Sequence, residues 1–179
     1  MSAPEVRLSV WSRLARNNAW SNATLLGAVC DLTQAEFTAP RTGFFPSLHL
    51  TLGHVWLVDL FYLDALTGGG RGRAIFAEEV EPEDAETLRA AQADADARLI
   101  AFCDAGIAPD ATVSIPWRGG PATETVEAVL LHLFQHQIHH RGQAHAMLSG
   151  TSVAPPQLDE FFPVFGRPAS AQAVWDVRG

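Results

Sequence analysis

The stretch VEAVLLHLFQHQIHHRGQAHAMLS, Val126 to Ser149, decides the reading of this chain. Its leucines, valine, phenylalanine and methionine recur at helical spacing, which predicts a core helix. Five of the chain's seven histidines lie inside it, at 132, 136, 139, 140 and 145. Each residue of an α-helix advances by about 100°, so His132, His136, His139 and His140 share a face and His145 points away. His136 and His140, four apart, stand one turn above each other, the spacing that lets two imidazoles reach one metal ion.

Two ligands bind weakly, so a third has to come from another segment. His54 is the best candidate, because it interrupts a densely apolar helix in the other segment that carries histidine; His49 lies five residues earlier, near that helix's entrance. Three neutral imidazoles with an open position suit zinc, nickel, copper or iron(II) and the activation of water or a thiol. The motif HExxH is absent. The nearest upstream carboxylates, Glu124 and Glu127, lie more than two turns before His136, so no glutamate base of the metalloprotease kind is built into the helix.

The rest of the chain reads as three further helices and their punctuation. The first runs from about Glu5 to Leu32, opened by Ser2 or Pro4. Asn17, Asn18, Ser21 and Asn22 interrupt it, so the helix bends there or those side chains meet polar groups inside the fold. The second starts near Pro46, behind Phe44 and Phe45, and runs to the TGGGRGR break at 67–73. It is apolar all round, which places it centrally and suggests a subunit contact as well. The glycine run lacks the spacing of a phosphate loop and reads as a flexible connector. The third helix spans about Pro82 to Ala105, with acidic residues at its positive end and Gly106 after it. ATVSIPWRGG at 111–120 reads as a short extended piece or hairpin strand. The last helix follows Pro121, with Thr123 and Thr125 as candidate caps. The aromatic tail SVAPPQLDEFFPVFG folds back over the helices, and Trp20, Trp56 and Phe134 are core aromatics.

Composition bounds the function. At 179 residues and 47% hydrophobic content the expectation is one domain, 1–179, with one sizeable core. A formal charge of −8, from 20 acidic and 12 basic residues, disfavours nucleic acid and anionic membrane partners. Every basic residue is arginine, so Schiff-base chemistry is excluded. Cys30 and Cys103 are too few for a disulfide framework and read as reduced core residues. Neither a signal peptide nor an uncharged apolar run of membrane length is visible, and a cytoplasmic location is expected.

The strings RLARNNAWSN, FFPSLHLTLGHVWLVDLFYL and LLHLFQHQIHHRGQAHAML followed by PPQLD together resemble the DinB family, the DinB/YfiT-like metalloenzymes. The string from His136 to Gln143 is the most specific of these. The resemblance implies an all-α, up-down-down-up four-helix bundle, a homodimer, and a divalent metal, zinc or nickel, held by His54, His136 and His140. It also implies an enzyme of the thiol-dependent transferase or isomerase kind, or a hydrolase-like one, with a low-molecular-weight thiol as small-molecule partner. The alternative is a non-catalytic metal-binding stress-response protein. Family members usually carry Asn before the first two ligands, where this chain has Gly53 and Gln135. His139 would orient a ligand or be structural. Arg141 would bind an anionic group or pair with an acid such as Asp59 or Asp159, and Asp59 would accept a hydrogen bond from a ligand imidazole's other nitrogen or lie at a surface or dimer contact.

Overall fold

A computed structural model describes residues 8–108 and 110–175. The described residues are mostly helical, with one two-stranded hairpin among them. Four long helices, α1 (Val10–Cys30), α3 (Leu48–Thr67), α5 (Ala85–Asp104) and α6 (Val126–Leu148), share one hydrophobic core. The short helices α2 (Gln34–Thr38) and α4 (Ile75–Glu78) lie between them, and α7 (Ala169–Trp175) follows the tail.

Local chemistry sets the ends. Ser9 caps α1 by accepting from the Ser12 amide at 3.0 Å, so the described helix begins at Val10; the opening expected at Ser2 to Glu5 lies outside the described residues. Ser47 caps α3, so Pro46 lies before the helix and not in its first turn, and Gly68 ends it in the left-handed region at φ 72°. Asp84 caps α5 two residues later than Pro82 suggests. Of the two threonines before α6, Thr125 is the cap, accepting from the Ala128 amide, while Thr123 lies in strand β2.

Side-chain contacts give the directions of the long helices. Along α1 and α5 they run in opposite order, from Ser12 with Cys103 to Asn22 with Asp96. Along α3 and α6 the order is also opposite, from Thr51 with Met147 to Tyr62 against His132. Along α1 and α6 it is the same, from Trp11 on Phe134 to Asn22 with Arg141. Arg16 reinforces the first pair by gripping Asp104 with two bonds of 2.8 and 2.7 Å. The apolar helix α3 is mostly buried within the chain, with α5, α6 and β1 packed against it. By length and composition alone it could cross a membrane, but it is mostly buried, as a soluble protein's core helix is.

The extended segment forms β1 (Thr112–Trp117), paired antiparallel with β2 (Gly120–Thr125). The glycine run before it is a fitted turn and not a loose connector. Gly72, at φ 50°, donates its amide to Asp64 Oδ2 at 2.8 Å, and a Cβ there would stand 2.5 Å from Pro116 of β1. Only glycine therefore lets the hairpin seat against this turn. The tail does fold back: Phe161 is fully buried beside Trp20, and His145 donates through Nε2 to the Pro156 carbonyl at 2.8 Å.

Candidate metal centre

The site begins with the way α6 buries one face. Leu130, Leu133, Gln137, Ala144 and Leu148 are completely enclosed, which turns His136 and His140 toward α3 at the edge of the core. There they meet His54. Its Nε2 lies 3.0 Å from Nε2 of His136, and one ligand atom from each of the three histidines falls within 4.8 Å of the others. His54 and His140 sit edge to face at 4.8 Å between centroids, His136 and His140 at 4.4 Å.

Burial keeps these rings neutral. It draws His54 down to about 4, helped by the charge of His140, and His136 down to about 3, helped by the surrounding histidines. His140 is lowered too, by burial, against its hydrogen bond to Gln143. At neutral pH all three offer lone pairs. Gln143 also fixes the tautomer of His140: its Oε1 lies 2.8 Å from Nδ1, which must donate, leaving Nε2 free to ligate.

These residues fit a divalent ion. Two nitrogens bound tetrahedrally to one zinc stand about 3.3 Å apart, close to the 3.0 Å between His54 and His136. The Nδ1 of His136 is buried with no hydrogen-bond partner among the described residues, so no hydrogen bond at that nitrogen orients the ring. Phe45 lies over the group, 4.4 Å from the His54 ring and 5.7 Å from that of His140.

Beneath the histidines all four long helices meet in a buried polar layer. Arg141 Nη1 donates to Asn18 Oδ1 at 2.7 Å, Asn22 Oδ1 at 2.8 Å and Gln137 Oε1 at 3.3 Å. Both asparagines pass on hydrogen bonds to Asp96, while Gln92 and Gln137 donate to Asp59. Burial raises Asp59 to about 6 and, with the charge of Asp59, raises Asp96 to about 7; it lowers Arg141 to about 10.

Asn18 and Asn22 of the first helix thus point inward at partners. Asp59 is buried with no described histidine as partner, so it is neither a surface group nor an acceptor for a ligand imidazole. Arg141 is internal, among amides and the two buried acids, and does not reach Asp159. His139 is exposed and pairs with Gln143 at 3.1 Å, and His49 is occupied by the Pro82 carbonyl at 2.9 Å. At Gly53 a Cβ would meet the Glu81 carboxyl group at 3.0 Å, so Glu81 fills the space that a side chain before His54 would take. Phe45 and Gln143 were missed as site residues. For Gln143 a signal existed, since it follows His140 by three on the same helix, whereas nothing local aims Phe45 at His54.

The DinB family's sequence model matches residues 1–167. The chain belongs to the DinB family. Its relatives include Protein DinB of Bacillus subtilis (strain 168), 26% identical over 154 residues, which cover 82% of this chain and 89% of that protein. His54, His136 and His140 are thus a group able to hold a metal ion within a DinB-family chain.

Proposed function

We propose that this DinB-family chain is a metal-dependent, cytoplasmic enzyme folded as a single up-down-down-up four-helix bundle that works as a homodimer. Zinc or nickel is held by His54, His136 and His140, and the co-substrate is a low-molecular-weight thiol used in transferase or isomerase chemistry. The observation that carries this reading is the convergence of three neutral imidazoles within 4.8 Å. When bound, a divalent ion supplies Lewis acidity, lowering the pKa of a water or thiol toward neutrality.

The chain's own residues prepare that chemistry. His54, His136 and His140 present lone pairs at neutral pH, Gln143 holds the His140 ring in the ligating tautomer, and Phe45 shields the group from bulk water. The two cysteines are poor nucleophiles. Burial and the neighbouring Glu86 push Cys30 up to about 11, and burial and Asp104 push Cys103 up to about 12, so the reacting thiol has to come from solution.

The test is turnover of thiol and electrophile pairs by protein loaded with zinc, nickel or manganese, with His136→Ala as control. Thiol consumption above the control is expected with at least one metal. Equal rates for both proteins under every loading would remove the enzymatic reading and leave a metal-binding protein without catalysis.

A further inference from the structure

The hairpin does more than connect α5 to α6. Seated on the Gly72 turn through Pro116, it forms an open pocket of about 300 Å³ with α3 and α6. Phe61 and Tyr62 of α3, Ile115 and Trp117 of β1, and His132 of α6 form its walls, and Glu124 of β2 brings a carboxylate to its rim.

The walls form a chain of rings that ends at the histidine group. Trp117 lies 6.3 Å from Phe61, Phe61 5.0 Å from Tyr62, and Tyr62 5.3 Å from His132. His132 in turn stacks on His136 at 6.2 Å, with the ring planes 27° apart. The wall residue His132 therefore stands between the pocket and a ligand-bearing ring one helical turn along α6.

Its chemistry selects by shape and charge. Faces of π-systems favour flat apolar groups, which gain from offset and edge contacts as well as from area. A volume near 300 Å³ lies at the small end of ligand pockets and suits a molecule of one or two rings. Glu124 repels an anion and accepts from a donor N–H or O–H. Burial raises the Tyr62 hydroxyl, which keeps its proton and can donate to a ligand oxygen.

We propose that this cavity is the electrophile pocket of the metal centre and takes a flat, uncharged aromatic group bearing a hydrogen-bond donor, held between Trp117, Tyr62 and His132 with the donor toward Glu124. The inference rests on the metal-dependent reading above and adds the class of the second substrate.

The probe is 6-fluoroindole, followed by ¹⁹F NMR on protein loaded with Zn²⁺ or Co²⁺, with metal content measured on the same samples. Binding should broaden the fluorine line. Ala128→Trp, an exposed position on the cavity rim, should weaken binding at least tenfold with metal content unchanged, whereas Ala146→Trp, exposed further along the same helix, should leave binding intact. Co²⁺ in place of Zn²⁺ should add paramagnetic broadening to the bound probe. The proposal is overturned if 6-fluoroindole does not bind, if Ala128→Trp binds it as the parent does, or if fully Co²⁺-loaded protein broadens the line no more than the Zn²⁺ form. Absence of metal from every sample overturns the metal reading itself and the pocket's role with it, a failure seen in the metal content and not in the fluorine spectrum.

Discussion

His54 and His136 are 82 residues apart in sequence, yet their Nε2 atoms face each other at 3.0 Å. Two such nitrogens can share a proton or donate both lone pairs to one ion. Their neutral state, enforced by burial, favours the second whenever a divalent metal is available.

Gln143 is the first lever on that geometry. Gln143→Leu keeps approximate size but removes the acceptor for His140 Nδ1. Loss of such an outer partner typically weakens metal affinity by roughly 10–100-fold. Competition titration against a chelator should show a loss in that range, with the melting temperature of the metal-free protein little changed.

Arg141 tests the polar layer. Arg141→Met leaves Asp59 and Asp96 buried without their neighbouring cation and takes the donor from Asn18 and Asn22. Removing one partner from a buried charged network costs about 3–5 kcal/mol. Urea unfolding should show that loss, whereas an arginine bound for an anionic substrate would give a stable variant with impaired turnover.

Asp59→Asn should change the pH dependence of stability. Burial raises the folded-state pKa of Asp59 from 3.8 to about 6. The folded state therefore keeps a proton that the unfolded chain releases, and this group's contribution is complete below 3.8 and lost as pH rises through about 6. The variant should gain on the parent across that window and hold its largest advantage at pH 8. Melting curves from pH 4 to 8 measure the difference; an advantage that shrinks with rising pH would contradict the assignment.

Phe45→Ala removes the ring over His54. Because burial is the main cause of the low His54 pKa, the variant's His54 should titrate closer to 6.5, and metal should dissociate faster. NMR titration of the imidazole and stopped-flow chelation read the two effects.

The helices and the histidine pair were legible because they rest on periodicity within one segment: four residues carry His136 to His140 one turn along α6. His54 was legible as a polar interruption in an apolar helix, together with the family resemblance. The polar layer was not, because its partners are long-range: Arg141 meets Asn18 across 123 residues and Asn22 meets Asp96 across 74. Sequence shows that Asn18 and Asn22 are anomalous in a core helix and cannot say what they face. The glycine run misled for a similar reason, since its purpose is the approach of Pro116 more than forty residues later. The helix α7 and the lid formed by Phe45 likewise depend on where a loop returns.

Metal content of the protein purified without an affinity tag tests the central claim most directly, with His54→Ala, His136→Ala and His140→Ala alongside. One equivalent of a divalent transition metal per chain is expected in the parent, and a strong loss in each variant. A folded parent that takes up no metal under saturating zinc or nickel, or variants that retain a full equivalent, would contradict it.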